Sequence, residues 1–172
     1  MMFSEKLTEL INNQINYEFF SEHVYLAMSA YCANQDLDGF ANFFRVQAEE
    51  ERFHAMKFFD YLKDMDARIR INNNPEPRND YGSILEAFKA ALEHEKSNTR
   101  NIYEIADAAS EERNHATMSF LKWFIDEQVE EESTVNTVIK KLERIGSDNA
   151  ALYMLDTELA ARVFVPPINT AI

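Results

Sequence analysis

Glu51 and His54 stand three residues apart in the stretch Ala48-Glu49-Glu50-Glu51-Arg52-Phe53-His54. On a helix that spacing puts a carboxylate and an imidazole on one face. Steps of seven from Glu51 reach Phe44 and Phe58, and Phe40 and Met65 prolong the apolar stripe. The face is therefore predicted to be buried, where unpaired polar groups are costly. The same interruption recurs elsewhere. Sevens from Ile11 run through Glu18, Tyr25 and Cys32, and sevens from Phe88 run through Glu95, Ile102 and Ala109. Two adjacent rows follow later: Leu121, Gln128, Val135, Leu142, and Phe124, Glu131, Val138, Ile145.

One offset relates these residues. A shift of 77 takes Glu18 to Glu95, Glu51 to Gln128, His54 to Glu131 and Glu50 to Glu127. In an antiparallel bundle, Glu18, Glu51, His54, Glu95, Gln128 and Glu131 would then meet at one level of the core. Four carboxylates in a dry interior repel one another, and without a cation some would keep their protons. Metal cations remove that repulsion. Oxygen donors with one imidazole and no thiolate suit Fe, Mn or Zn, and bridging glutamates can hold two ions side by side. The run Glu130-Glu131-Glu132 by itself reads as a solvated face; only Glu131 falls on the stripe.

Four long helices must position this set. The first is predicted from about Ser4, an N-cap, to Gln35. A short turn to Gly39 makes the second, about Asp38 to Asp66, its antiparallel neighbour. From Ala67 to Gly82 the chain cannot be helical throughout, because Asn72-Asn73-Asn74-Pro75-Glu76-Pro77 breaks it; Arg68 to Ile71 could be briefly extended. This connection is long enough to cross the bundle and set the third helix parallel to the second. The third helix is predicted from Ser83 to Ala109 and the fourth from Asn114 to Ile145, closed by Gly146. Ser147-Asp148 opens a short fifth helix, about Asn149 to Arg162, before an apolar tail from Val163. The whole chain, 1–172, reads as one all-α domain.

Bulk properties exclude several classes. The net charge of -13 argues against nucleic acid and anionic membranes as partners. A single cysteine, Cys32, rules out an internal disulfide framework and fits a reducing, cytoplasmic setting. The first residues lack a long apolar leader, and no run approaches the roughly 20 apolar residues of a membrane span.

Across nearly its whole length the sequence resembles the non-haem ferritins of prokaryotic type. The match is carried by Asn16-Tyr17-Glu18 with Tyr25, Glu50-Glu51-Arg52-Phe53-His54-Ala55, Glu95, and the run Phe120 to Glu132. The ferritin-like di-metal pattern has a Glu from each of two helices and Glu-x-x-His from each of the other two. Here the second pair is Gln128-x-x-Glu131, a departure.

The resemblance implies a four-helix bundle with a long crossover and a short fifth helix. It implies a di-iron ferroxidase centre: Glu18, Glu51 and His54 on the first iron, with Glu51 bridging to a second among Glu95, Gln128 and Glu131. Glu50, Glu127 and Glu130 match a third iron position. Tyr25 matches the family's tyrosine beside the centre, and Trp123 is a core aromatic. Fe(II) would be oxidised by O2 or H2O2 and stored as hydrated oxide inside a homo-oligomeric shell of 24 subunits. Haem is not expected, because Arg52 stands where haem-binding relatives carry methionine.

His23, His94 and His115 fall off the pattern and read as surface or capping residues. Acidic residues that line threefold pores in animal chains align with Met118 and Leu121, which puts an acidic threefold entry in doubt. The alternatives are a di-iron or manganese oxidase on the same bundle, and a shell without ferroxidase activity.

Overall fold

The computed structural model describes residues 4–167. Expectations for residues 1–3 and for the tail residues 168–172 lie outside the described residues. Among the described residues there are five helices and no strand: α1 (Glu5–Ala33), α2 (Asp38–Asp64), α3 (Ile84–Glu111), α4 (His115–Ile145) and α5 (Asn149–Leu159). No helix is long and apolar enough to cross a membrane.

Helix starts follow local chemistry. Ser4 accepts from the Leu7 amide at 3.0 Å, Ser83 from Glu86 at 3.1 Å and Asn114 from Thr117 at 3.1 Å. Asp148 accepts from the Ala150 and Ala151 amides at 2.9 and 3.1 Å. Each cap satisfies amides that the first helical turn leaves without a partner. Leu37, at the start of α2, has no capping side chain. Its place is taken from across the molecule, where Asp156 of α5 accepts from the Phe40 amide at 2.9 Å. Gly39 permits this approach, since a Cβ there would lie 1.7 Å from the Asp156 carbonyl oxygen.

The long crossover runs the length of α1. The Asn12 amide donates to the Arg68 carbonyl (2.8 Å) and its oxygen accepts from the Arg70 amide (2.6 Å). Asn16 repeats the pattern on the Arg70 carbonyl (2.9 Å) and the Asn72 amide (2.7 Å). Residues 68–72 therefore find their backbone partners on side chains of α1 rather than on a second strand. Further on, Asn74 meets His23 and Tyr81 packs on Tyr31, with ring centroids 5.3 Å apart. The chain thus arrives at the far end of α1 before α3 begins, which makes α3 parallel to α2.

The heptad rows are buried as the sequence predicts except at their ends, where Met65 and Ile145 are partly exposed, and they divide into two apolar blocks. One gathers Val24, Met28, Phe40, Phe44, Phe88 and Val135 with their neighbours, and α5 adds Leu155 and Leu159. The other gathers Leu7, Ile11, Phe58, Ile102, Leu121 and Phe124. Between them every long helix contributes polar side chains: Glu18, Glu51 with His54, Glu95 with Asn98, and Gln128 with Glu131 are all buried. Leu121 lies fully buried in the second block while Met118 is exposed, so Leu121 cannot line an opening at the surface.

The fifth helix is shorter than predicted. It ends at Leu159, where Asn42 of α2 reaches across to the carbonyls of Leu159 (3.2 Å) and Arg162 (2.9 Å) and draws the chain out of the helix.

Candidate metal centre

Each long helix presents one polar level to the bundle interior, and the neighbours of each side chain fix its orientation. Glu18 on α1 accepts from Gln14, one turn earlier, at 2.7 Å and from Asn98 of α3 at 3.2 Å. Gln14 also donates to the Asn98 oxygen at 2.6 Å, which closes a buried amide network behind Glu18. Glu95 on α3 accepts from the Tyr25 hydroxyl and, at 3.1 Å, from Gln128 of α4. Glu131 on α4 accepts from Gln47 of α2 at 2.7 Å. The His54 ring is walled by Trp123 and Phe124, edge to face, with centroids 5.5 and 5.8 Å away.

Among the described residues five buried side-chain atoms lack a hydrogen-bond partner: Oε1 of Gln14 and of Gln47, both carboxylate oxygens of Glu51, and Nδ1 of His54; the last three converge from one face of α2. His54 Nδ1 lies 3.5 Å from Glu51 Oε2, too long for a hydrogen bond. Buried polar atoms in folded proteins are nearly always paired. Unpaired donors of this kind, converging from two groups three residues apart, fit a metal ion as the missing partner. Single oxygen or nitrogen atoms from Glu18, Glu51 and His54 all lie within 4.8 Å of one another. A second group of the same tightness joins His54 to Glu127 and Glu131.

The electrostatics point the same way. Burial, reinforced by the neighbouring carboxylates, pushes Glu51 well above the usual carboxylate range. Burial raises Glu95 to about 7, against the opposing hydrogen bonds from Tyr25 and Gln128. Burial, with Glu95 nearby, raises Glu131 to about 8. Tyr25 is fully buried, and burial followed by the Glu95 charge lifts its hydroxyl well above its ordinary value.

The remaining sequence-derived positions are placed differently. Glu127 is half-buried and joins the His54 group. Glu130 is exposed. Glu50 instead pairs with Arg162 at 2.8 Å. Among the described residues neither Glu50 nor Glu130 belongs to either tight donor group, and Glu95 is turned into its hydrogen bonds.

The expectation for His94 needs correction. It is not a surface residue: it stacks on Tyr17 (centroids 5.0 Å apart), meets Tyr25 edge to face at 6.0 Å, and its Nε2 lies 2.7 Å from the Ser21 hydroxyl. Burial lowers its pKa to about 4, so the ring is neutral at ordinary pH. His23 and His115 are exposed.

Sequence reasoning passed over Gln14, Gln47, Asn98 and Arg162. Three of them carried a signal, Gln14 because it stands four before Glu18. Gln47 lies seven before His54, and Asn98 three after Glu95, so each shares a ligand's helix face. Nothing in the local pattern marked Arg162.

A model of the ferritin-like domain matches residues 8–145. The chain is 47% identical over 163 residues to the bacterial non-heme ferritin of Staphylococcus aureus (strain USA300), covering 95% of this chain and 98% of that one. The corresponding protein of Staphylococcus haemolyticus (strain JCSC1435) matches to the same extent. This chain belongs to the ferritin family. Among solved structures, an Archaeoglobus fulgidus ferritin engineered into a closed form superposes with a TM-score of 0.93 at 42% identity, over 95% of this chain and 99% of that one. A structure described as a novel open pore ferritin from the same archaeon gives a TM-score of 0.93 at 41% identity, over 94% and 99%. Ferritin membership supports a role in iron storage, and the ferritin-like four-helix bundle is the fold observed.

Proposed function

We propose that this ferritin oxidises Fe(II) at the buried carboxylate level and stores the Fe(III) product as a hydrated oxide inside a shell of 24 copies in the cytoplasm. The observation that carries the reading is the set of unpaired atoms on Glu51 and His54 amid glutamates held by Gln14, Asn98, Gln47, Gln128 and Tyr25. Iron is the substrate. Glu18, Glu51 and His54 take one Fe(II), and Glu51 with Glu95, Gln128 and Glu131 takes a second. Glu50, Glu127 and Glu130 serve a third position towards storage.

The chain's own residues do three things. The hydrogen bonds on Glu18 and Glu131 hold those two carboxylates in place before iron arrives. Burial raises Glu51, Glu95 and Glu131 above ordinary carboxylates, so a cation binding there displaces protons from them, because a ligating carboxylate must be ionised. Tyr25 fixes Glu95 through its hydroxyl and lies against the centre as a nearby redox-capable ring. Two Fe(II) supply two electrons, enough to reduce O2 to H2O2 or H2O2 to water. The electron chemistry is the metal's, and the protein sets geometry and charge.

Glu51→Ala and His54→Ala test the assignment. Each removes one of the unpaired groups, and each should slow Fe(II) oxidation at two equivalents per chain by at least about tenfold. The native mass should be unchanged. Stopped-flow absorbance of the ferric product reads the rate, and a rate equal to that of the unmodified protein would reject the centre.

A further inference from the structure

Beyond α5 the chain lands on α2 and is fastened there at several points. Asn42 donates to the Arg162 carbonyl at 2.9 Å. The Arg162 guanidinium lies 4.5 Å from the centre of the Phe43 ring. The Phe164 ring packs on Phe53, with centroids 6.0 Å apart. Phe53 is the residue before His54, and its ring also meets Trp123 at 6.2 Å.

Within this strap Arg162 donates to Glu50 at 2.8 Å, and both side chains are largely covered, with 23% and 21% of their surface accessible. Glu50 also faces the charges of Glu127 and Glu130. A half-buried carboxylate facing two others needs a counter-cation, and the strap supplies one. Glu127 is drawn into the donor group with His54 and Glu131, whereas Glu50 is not.

We propose that Arg162 is an internal competitor for the third iron position: its guanidinium holds Glu50 away from Glu127, and a divalent ion gains Glu50 only by displacing it. The proposal rests on the assignment of Glu50, Glu127 and Glu130 to that position. A divalent ion brings two positive charges to a place where one already sits, so each weakens the other's hold. Linkage makes the effect reciprocal: the strap lowers the ion's affinity by the same factor by which the ion loosens the strap. Filling of the third position is thereby coupled to the C-terminal segment on α2.

The test is anaerobic Fe(II) titration calorimetry on the assembled protein near neutral pH, comparing the unmodified chain with Arg162→Ala and Arg162→Lys. Arg162→Ala should bind its third equivalent about tenfold more tightly, the scale of one charge-assisted contact at a partly covered site. The first two equivalents should not change. Arg162→Lys keeps the charge and should stay near the unmodified affinity, which separates charge from packing. Hydrogen exchange supplies the reciprocal readout: amides of residues 160–165 should exchange faster once the third equivalent is bound. A third equivalent of equal affinity in all three proteins would overturn the proposal. So would the lack of a third equivalent in every variant. In either case, two intact equivalents would leave the oxidation centre standing.

Discussion

Glu51 brings both carboxylate oxygens into the core without a donor, and its neighbours Glu95 and Glu131 hold protons at pH values where ordinary carboxylates have lost them. This fixes the sign of the pH response of the metal-free protein. In the unfolded chain these groups titrate near 4.3. Folded, Glu95 and Glu131 titrate at about 7 and 8. Between those limits the folded state binds more protons than the unfolded one, so stability falls as pH rises. Thermal melts of metal-free protein should show the midpoint dropping from about pH 5 to about pH 8, and Glu131→Gln should flatten that slope. A midpoint that is constant or rises over this window would contradict the raised values. A redox-inert divalent ion such as Zn(II) should stabilise most at the upper end, where it no longer competes with protons. At this scale the sequence was informative wherever a polar residue broke a heptad row, as Glu18, Glu51, Glu95, Gln128 and Glu131 do. It was silent on Arg162, because a contact between the tail and α2 spans more than a hundred residues and follows no period.

At the scale of elements, the long helices were legible because their apolar rows run without breakers and begin at Ser4, Ser83 and Asn114. Their ends were less legible. Gly146 closes α4 with a positive φ of 57°, as a glycine should. The residues in the same left-handed region beyond α1, α2 and α3 are Asp36, Asp66 and Arg113, which carry no comparable signal. The start of α2 was also opaque, since its cap, Asp156, comes from α5. That borrowed cap makes Gly39 a sensitive position. Gly39→Ala sets a methyl group against the Asp156 backbone and should cost about 1–3 kcal/mol, in the range of overpacking. Thermal melting should show the loss, and hydrogen exchange should place it at α5 and the first turn of α2. A variant that melts and exchanges like the parent would mean that α5 does not depend on this approach.

At the scale of the whole molecule, α5 and the strap turn apolar side chains outward: Tyr153, Met154 and Val165 are each 72% exposed. Large apolar side chains left exposed on a subunit mark surface that association can cover. Light scattering of the native particle should give about 24 times the 20.0 kDa chain mass; a dimer would rule out the shell. The polar level has a further consequence, for cooperativity. The bundle is cohesive above and below that level, where Phe44 and Phe88 pack at one end and Phe58 and Phe124 at the other. All four helices cross from one apolar block to the other through the same ring of mutually repelling acids. Cations bound among Glu18, Glu51 and His54, and among His54, Glu127 and Glu131, would tie α1 and α4 to α2 at the level where apolar packing is interrupted, and would stabilise the bundle there by mass action. The proposed iron ligands would thereby also set how firmly the two apolar blocks are joined.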